Sequence, residues 1–376
     1  MKKKKLHILF LNSWFPSKIF PYNGDFIQRH ANAVALKHEV TSLHFVTDKN
    51  LGKKYVSEEI LNHVRTIIVY LPETKFLLQK ILLFYKAYVE QLNRLAPYDL
   101  IQVNRIHPIG IFALITKAFR KKPLLLMEHF TGYAYPNLIK ICGIEKLSLK
   151  LVGNYADGIL TVSEHLAQGM RKLGVQNKFY TIPNVVDTAV FTPRNHQNTV
   201  FQILHVSSLN DAHKNISGIL NVAQKLLSDN INFHLTMLGG EGNEFYIKVD
   251  ELGLQHHITF IPQVDHNKVA EFMQQSDLLL LFSNYENLPC VILESFACGL
   301  PVVSTKVGGI CEFFPADFGI LVEANNEIEL FNAIKAQINK GATNKQIMHS
   351  YAKKYFSKEV IASKFTEVYL NLVKNG

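Results

Sequence analysis

Short apolar runs alternate with longer stretches of helical periodicity from one end of the chain to the other. The runs that we assign to strands are residues 6–12, 41–46, 66–70, 100–103, 124–128, 158–162, 179–182, 202–206, 234–238, 258–261, 278–282, 302–304 and 319–322. Strands that alternate with helices in this way are typical of parallel sheets covered by helices on both faces. The pattern therefore predicts an α/β protein.

The strand candidates fall into two groups with a break between them. Near residues 182–194, Pro183, Asn184 and Pro193 interrupt regular structure ahead of a polar stretch at residues 195–199. The length of 376 residues is more than twice the roughly 150 of a typical domain. Two doubly wound domains fit this arrangement better than one oversized sheet.

Composition excludes several classes of protein. The chain is 48% hydrophobic and 19% charged, which excludes a disordered or fibrous protein. Its net charge of +9 suits an anionic partner, but does not choose among nucleotide phosphate, lipid headgroup and nucleic acid. We expect no nucleic-acid binding, because no module combines aromatic and basic residues as such proteins do. Four cysteines without a Cys-x-x-Cys pair favour a reduced, cytosolic protein without a zinc site.

The first residues resemble a secretory signal, with a basic start, Met1–Lys5, before the apolar residues 6–11. The apolar run is short, no small-x-small cleavage site follows, and Pro16 comes soon after, so we expect a buried first strand instead. No apolar run approaches the roughly 18 residues of a membrane helix. We expect a soluble, cytoplasmic protein.

Ligands of open α/β sheets bind beyond the carboxyl ends of the strands, and the loop after residue 282 carries polar candidates. Asn287 is the predicted N-cap of the next helix, Pro289 suits its first turn, and Gly299 ends it. The free N–H groups at the start of this helix would attract an anion. The carboxylates of Glu286 and Glu294 would repel a phosphate bound there unless they faced hydroxyl groups instead, such as those of a sugar. The segment alone leaves open whether they bind sugar or are a loop cap and a solvated side chain.

Three further loops carry candidate binding groups. Gly308 and Gly309 follow a strand, where backbone can approach a ligand closely or form an anion-binding nest. Lys214 precedes a helix predicted at residues 216–227 and could bind a diphosphate, although a solvated lysine is the simpler interpretation of that residue alone. The run Gly239-Gly240-Glu241-Gly242 lacks the third glycine and the acidic residue of a dinucleotide site.

Together, these four loops resemble the donor-binding half of retaining glycosyltransferases of family four, the "group 1" type. The resemblance rests on Glu286-x7-Glu294, Ala297-Cys298-Gly299-Leu300-Pro301-Val302-Val303, Gly308-Gly309-Ile310-Cys311-Glu312 and Gly239-Gly240-Glu241-Gly242. Looser matches upstream are Pro21-Tyr22-Asn23-Gly24-Asp25-Phe26, Val162-Ser163 and Ile182-Pro183-Asn184-Val185-Val186-Asp187. The resemblance therefore covers nearly the whole chain.

The resemblance implies a GT-B fold, in which two Rossmann-like domains face each other across a cleft. The acceptor-side domain would span residues 1–186 and be joined by a C-terminal crossover helix at about 357–376. The domain that binds the nucleotide sugar would span residues 187–356.

The resemblance also implies roles for individual residues. Glu294 would hold the ribose hydroxyls and Glu286 the hydroxyls of the transferred sugar, with Lys214 on the diphosphate. Backbone at Gly24, Leu288 and Pro289 would contact the diphosphate oxygens, and the loop of Gly308 and Gly309 would complete the donor site. His129 matches a histidine that contacts the transferred sugar near its anomeric carbon; without the resemblance, a structural histidine fits equally well.

The chain departs from the family pattern at the diphosphate. The usual Gly-Arg-Leu before the lysine loop is Ser207-Ser208-Leu209 here, so a second cation is missing from that position. The loop after Glu286 reads Asn287-Leu288-Pro289 where Gly-Phe-Gly is commoner.

The resemblance implies a retaining hexosyltransferase that moves sugar from a UDP- or GDP-sugar to a saccharide or lipid-linked acceptor, in surface polysaccharide or glycolipid biosynthesis. We expect no metal and no cofactor, because the chain has no Asp-x-Asp pair and Lys214 can meet the leaving-group charge. The alternatives are a nucleotide-sugar epimerase or hydrolase of the same fold, and an inactive, membrane-associated partner protein.

A helix predicted at residues 75–95 bears on the acceptor side. Its apolar arc covers most of the circumference, which favours a core helix over one on a membrane surface. Lys75, Lys80, Lys86 and Arg94 would suit anionic headgroups of the inner leaflet, so a peripheral membrane location stays open.

Overall fold

A computed structural model of the chain describes residues 5–341 and 343–375. The basic start before Lys5 and the last residue of the predicted crossover helix, Gly376, lie outside the described residues. The chain divides into two compact units, one of Met1–Val185 with Lys358–Gly376 and one of Val186–Ser357.

The first unit is built on an eight-stranded sheet. Its strands are β1 (His7–Asn12), β2 (Glu39–Asp48), β3 (Tyr55–Leu61), β4 (Val64–Pro72), β5 (Leu100–Asn104), β6 (Leu124–Glu128), β7 (Gly158–Thr161) and β8 (Phe179–Thr181). They are arranged in the order β3-β4-β2-β1-β5-β6-β7-β8, and every neighbouring pair is parallel except β3 and β4. The sequence pattern missed β3, because this edge strand is mostly exposed and lacks an apolar run.

The helices of the first unit are α1 (Asp25–Ala35), α2 (Leu77–Arg94), α3 (Gly110–Arg120), α4 (Gly143–Tyr155) and α5 (Glu164–Lys172), followed at the end of the chain by α13 (Lys358–Asn375). From α2 to α5, each helix joins strands that advance toward β8, so right-handed crossovers place these helices on one face of the sheet. Helix α1 joins β1 to β2 in the opposite direction and packs against α13.

Helix α2 differs from its prediction as a core helix. Its last turns are buried through Ala87, Tyr88 and Leu92, but its first half is not. Leu77 and Leu78 are 73% and 68% exposed. The prediction is wrong for this half, because the neighbouring elements cover only one end of the apolar arc.

The second unit is built on a six-stranded, wholly parallel sheet. Its strands are β9 (Phe201–Val206), β10 (Phe233–Leu238), β11 (Ile258–Ile261), β12 (Leu278–Leu281), β13 (Val302–Thr305) and β14 (Gly319–Val322), in the order β11-β10-β9-β12-β13-β14. Its helices are α6 (Asp211–Lys214), α7 (Ile216–Ser228), α8 (Tyr246–Glu251), α9 (His266–Gln275), α10 (Cys290–Cys298), α11 (Glu327–Lys340) and α12 (Lys345–Phe356).

The central strands of this sheet are buried on both faces, as their sequences require. All four leucines of β12 and all four residues of β13 are buried, which is typical of strands covered by helices on both sides. Leu278, Leu280 and Phe282 join one apolar core with residues of α7 and α11. This core fixes the strand ends that carry the candidate residues.

The predicted fold class is confirmed. All the strands predicted from the apolar runs are present, and the sheets are parallel apart from the β3 edge. Among the described residues, no helix combines the length and the apolar character needed to cross a membrane.

Candidate functional site

The carboxyl ends of β9, β12 and β13, which are neighbours in the sheet, bring the candidate residues of the second unit together. Lys214 ends the short helix α6 after β9, and Glu286 lies in the loop after β12. The Nζ group of Lys214 donates a hydrogen bond to Oε1 of Glu286, and Ser283 Oγ donates another at 2.8 Å. Residues 72 positions apart in the sequence therefore form one polar cluster.

Glu286 is ionised although it is buried. Burial alone would raise the pKa of its carboxyl, but the Lys214 ammonium and His213 outweigh it and lower the pKa to about 2. The Nε2 atom of His213 lies 3.7 Å from Glu286 Oε1. At neutral pH this carboxylate is therefore a charged hydrogen-bond acceptor with two basic side chains beside it.

Backbone and side-chain contacts hold the loops after β9 and β12 together. Asn284 donates its N–H to the carbonyl of His213 at 2.8 Å and its side-chain amide to the carbonyl of Ala212 at 3.1 Å. The rings of His213 and Tyr285 stack with centroids 4.3 Å apart. These contacts fix Lys214 relative to Glu286.

Below this cluster, His205 of β9 is buried and its pKa is lowered to about 4, chiefly by burial. Its ring nitrogens contact the carbonyl of Leu280 at 2.9 Å and Oγ of Ser207 at 2.7 Å. His205 thus joins β9 to β12, and its ring is held by Ser207, the first residue of the segment Ser207-Ser208-Leu209 that departs from the family pattern. Sequence reasoning did not single out His205.

The glycine pair after β13 packs against the Glu286 loop. Gly308 has a φ of +62°, and a Cβ atom there would lie 2.1 Å from the carbonyl oxygen of Glu286. Gly309 donates its N–H to the carbonyl of Asn287 at 2.7 Å. The pair therefore serves a close approach between two loops, and the N–H of Gly309 is already engaged.

Helix α10 follows the Glu286 loop directly. Pro289 is its N-cap, so the prediction that Asn287 caps it is wrong; Asn287 instead accepts the Gly309 N–H described above. Leu288 is buried, and Gly299 ends the helix with a φ of +68°, as predicted. Glu294 is 2% exposed, with His266 Nδ1 at 4.0 Å from its Oε1.

The loop after β10 also packs closely against the site. At Gly239, where φ is +122°, a Cβ atom would lie 1.9 Å from the carbonyl oxygen of Ser207. These glycines therefore serve loop packing, in agreement with the absence of a complete dinucleotide motif.

In the first unit, Gly24 is the N-cap of α1 and has a φ of +72°. A Cβ atom there would lie 2.8 Å from the carbonyl carbon of Trp14, so only glycine fits this turn. Gly24 thus brings the start of α1 against the loop after β1. Two residues on, the Phe26 ring lies 4.6 Å from that of His129.

His129 follows β6 and is held by the residue before it. Glu128 is fully buried, and its Oε1 accepts the backbone N–H groups of His129 and Phe130, both at 2.8 Å. Its Oε2 accepts the N–H of Ile106 at 3.0 Å. Burial and the nearby His30 lower the pKa of His129 well below 6.5. The imidazole is therefore neutral at pH 7.

Sequence reasoning also missed Arg105, a buried basic residue in this region. Its guanidinium lies 4.1 Å from the ring centre of Phe130 and donates to Glu145 at 2.6 Å and Tyr133 at 2.9 Å. A charged residue directly after the buried run of β5 is the signal that could have identified it.

The predicted site residues thus form two sets. Lys214, Glu286, Gly308 and Gly309 lie on touching loops of the second unit, and Leu288, Pro289 and Glu294 lie on the segment that continues from Glu286 into α10. Gly24 and His129 lie at the carboxyl edge of the first unit's sheet, linked through Phe26.

Two family profiles match the sequence. That of "Glycosyl transferases group 1" matches residues 188–355, and that of "Glycosyltransferase Family 4" matches residues 28–190. Together they span residues 28–355.

Two characterised relatives match different lengths of this chain. One component of phosphatidylinositol N-acetylglucosaminyltransferase from Arabidopsis thaliana is 30% identical over 52% of this chain, which spans 45% of that protein. N-acetyl-alpha-D-glucosaminyl L-malate synthase of Bacillus anthracis is 25% identical over 74% of this chain and 77% of its own. The chain therefore spans less than half the length of the plant relative.

Solved structures match along nearly the whole chain. Sucrose-phosphate synthase of Thermosynechococcus elongatus has a TM-score of 0.79 at 20% identity, over 99% of this chain and 100% of its own. Anabaena HepE in complex with UDP-glucose has a TM-score of 0.74 at 18% identity, over 98% of this chain and 100% of its own. At these identities the likeness establishes the fold.

Proposed function

Because this chain belongs to the group 1 glycosyltransferases of family four and has their GT-B fold, we propose that it transfers a hexosyl group from a UDP- or GDP-sugar to a saccharide or lipid-linked saccharide. The observation that carries the proposal is the buried pair of Lys214 and Glu286 at the sheet edge, with Glu286 in the loop that leads into α10. This pair offers a cation for phosphate and an ionised acceptor for hydroxyl groups.

We assign the diphosphate to Lys214 and the N-terminus of α10. A lysine ammonium and the free N–H groups of a helix start both stabilise anionic oxygens. His213, on the same short helix as Lys214, adds a ring nitrogen beside this cluster, while Lys214 and the start of α10 meet the charge in the absence of an arginine at Ser208. The backbone N–H groups of Leu288 and, in the first unit, Gly24 complete the diphosphate contacts in this proposal. Pro289 has no N–H, so its part is to position the start of α10.

The two glutamates are assigned to hydroxyl groups. Glu286 is ionised, so it accepts hydrogen bonds from the transferred sugar, and the basic groups beside it offset its repulsion of the diphosphate. Glu294, buried on α10, holds the ribose hydroxyls.

The proposed reaction retains the anomeric configuration. The acceptor oxygen attacks the anomeric carbon from the face that the diphosphate leaves, and the acceptor proton passes to the departing phosphate oxygen. Lys214 stabilises the negative charge that develops on that oxygen. His129 is neutral, so it contacts the transferred sugar as a hydrogen-bonding group without positive charge. The chemistry as proposed uses no metal and no cofactor.

The similar proteins give more support to the proposed class of donor, a nucleotide sugar, than to the proposed class of acceptor. One neighbouring structure holds UDP-glucose, while the relatives' names give different acceptors, phosphatidylinositol and malate. We place this chain in polysaccharide or glycolipid assembly at the cytoplasmic side of a membrane.

The first experiment is thermal unfolding with UDP, GDP and their sugar conjugates, with and without EDTA. A ligand at about 100 times its Kd adds about 2.7 kcal/mol, which raises Tm by roughly 5–10 °C for a unit of this size. We expect a shift with one base, unchanged by EDTA, lost in Lys214→Ala and kept in Lys335→Ala. Lys335 is a suitable control because it is a surface lysine of the same unit, paired with Asp229.

Other outcomes would identify another function. No shift with any nucleotide would favour an inactive partner protein. Turnover of the donor without acceptor, followed by NMR, would favour an epimerase or hydrolase. If the anomeric proton coupling of the product showed the opposite anomeric configuration to that of the donor, the retaining mechanism would be overturned.

A further inference from the structure

The two units carry opposite charge. The first unit contains 29 lysine and arginine against 14 aspartate and glutamate residues, a net charge of +15. The second contains 11 against 17, a net charge of −6. The positive charge of the chain is therefore a property of the first unit, and a nucleotide site in the second unit does not account for it.

Exposed apolar side chains are concentrated on the same unit. Of the 23 large apolar residues that are exposed in the described part of the chain, 12 belong to α2 with its N-cap, α3 and α4. They are Phe76, Leu77, Leu78, Ile81, Leu82, Tyr85, Ile115, Phe119, Ile144, Leu147, Leu151 and Tyr155. Phe119 is 83% exposed. We call the outer surface of these three helices the helical face.

The three helices form one layer. The Tyr88 hydroxyl of α2 and the Thr116 hydroxyl of α3 lie 2.9 Å apart, and the rings of Phe84 and Phe112 lie 4.9 Å apart. Helix α3 packs in turn against α4. Since right-handed crossovers place all three on the same side of the sheet, their exposed apolar residues spread over one broad surface.

The charges on this layer are mostly basic. Helices α2, α3 and α4 contain seven lysine and arginine residues and two glutamates. Both glutamates are paired: Glu90 with Lys54 and Arg94, and the buried Glu145 with Arg105. The cations thus have no exposed, unpaired carboxylate among these helices to offset them.

A basic cavity adjoins the end of α3, where Phe119 protrudes. It has a volume of about 560 Å³ and is lined by Lys117, Lys121, Lys122 and Lys178, with Asp157 the acidic residue among its lining groups. Lys117 is already bonded to Asp157 at 2.7 Å. The other three lysines could bind an anion the size of a phosphate headgroup.

We propose that the helical face docks on an anionic lipid bilayer. The apolar side chains would enter the boundary between headgroups and acyl chains, and the lysines would bind lipid phosphates, which is how amphipathic surfaces bind membranes. A broad apolar surface interspersed with cations suits a bilayer better than a protein partner, whose binding surface would need matching carboxylates. This inference does not depend on the proposed function.

The test is sedimentation of the full chain with vesicles, in the absence of any sugar nucleotide. One vesicle is phosphatidylcholine alone, and the other contains about one third phosphatidylglycerol. We expect binding to the anionic vesicles that weakens with rising salt. Lys121→Gln with Lys122→Gln should weaken it by up to about fivefold per lysine removed.

The apolar contribution is tested with Leu78→Ser combined with Phe119→Ser. Both side chains are largely exposed, so Tm should not change while vesicle binding falls at least tenfold. Ile60→Ser is the matched control, because Ile60 is 77% exposed on β3 of the same unit, outside the helical face. It should bind as the wild type does.

Three outcomes would overturn the proposal. They are no binding to either vesicle, equal binding by the Leu78 and Phe119 variant, and a wild-type dimer in light scattering that this variant dissociates. The last would make a second copy of the chain the occupant of the helical face. Because no donor is present, failure here is distinguishable from failure of the proposed transfer activity.

Discussion

Lys214 and Glu286 share a hydrogen bond in a place where both side chains are largely shielded from water. Each is supplied by a different strand end, and the backbone contacts between Asn284 and His213 fix the pair. Because a buried carboxylate is costly without a cation, the pair links the stability of the second unit to the groups that we assign to the donor.

Lys214→Ala should therefore change how stability depends on pH. In the wild type the pKa of Glu286 is about 2, below its ordinary 4.5, so its stabilisation is complete above pH 4.5 and is lost as pH falls toward 2. Without the ammonium, burial dominates and raises the pKa, so the variant loses stability as pH rises above 4.5. Urea unfolding should show a deficit of about 3 kcal/mol at pH 7 that shrinks toward pH 4.

Lys335→Ala provides the control for that series, since it removes a lysine from the surface of the same unit. Its unfolding free energy should follow the wild type at every pH. A constant deficit in Lys214→Ala from pH 7 to pH 4 would contradict the assigned electrostatics.

Buried histidines should make the protein less stable in mild acid. Burial lowers the pKa of His44 to about 4, so the folded state stays neutral while the unfolded chain takes up a proton below about pH 6.5. Stability therefore rises with pH between about 4 and 6.5, by up to about 1.4 kcal/mol per pH unit for one such histidine. In His44→Gln the slope should be smaller by that amount, whereas exposed His256→Gln should keep it. Parallel curves for wild type and His44→Gln would refute the prediction.

Gly308→Ala and Gly253→Ala separate two costs of replacing a glycine. Both have a positive φ, +62° and +68°, but only at Gly308 would the new Cβ meet backbone, the carbonyl of Glu286. We expect about 1 kcal/mol of destabilisation at Gly253 and at least twice that at Gly308, with loss of the nucleotide-induced Tm shift at Gly308 alone. Equal destabilisation at the two positions would mean that the Glu286 loop moves aside to accommodate the new Cβ atom, which would contradict the prediction.

Glu294→Ala and His129→Ala should affect different kinetic quantities. Loss of the side-chain oxygens of Glu294, which we assign as acceptors for the ribose hydroxyls, should weaken UDP or GDP binding by about 10–100-fold in calorimetry. Loss of the His129 ring should mainly lower kcat, by about a hundredfold, with nucleotide affinity kept. Equal nucleotide affinity in wild type and Glu294→Ala would remove the ribose assignment.

The parallel sheets and most of their strands could be predicted because a strand buried on both faces must be apolar throughout, as β12 is. Edge strand β3 could not, because exposed residues carry no such constraint. The apolar arc of α2 was visible too, but a helical pattern does not show which part of an arc a neighbour covers.

The candidate residues could be placed on loops because the ends of parallel strands meet at one edge. The contacts between particular loops depend on backbone geometry, which cannot be read from the spacing of residues in the sequence. Gly308 and Gly309 were predicted to approach a ligand or to form an anion-binding nest, but the pattern did not predict their contacts with the backbone of Glu286 and Asn287. Glu128 was not predicted to matter, although it directly precedes His129. The sequence at the end of an apolar strand does not show which backbone N–H groups will donate hydrogen bonds to a carboxylate.

The loop contacts of the second unit also determine where this chain tolerates insertions. The carbonyl of Ser207 lies against Gly239 and that of Glu286 against Gly308, while the carbonyl of His213 accepts a hydrogen bond from Asn284. Because of these contacts, the loops after β9, β10, β12 and β13 constrain one another's lengths. One residue added to any of them would displace its neighbours and, through them, the carboxylate of Glu286. A tag or reporter inserted near residues 62–63, in the exposed turn before β4 of the other unit, would meet no such constraint.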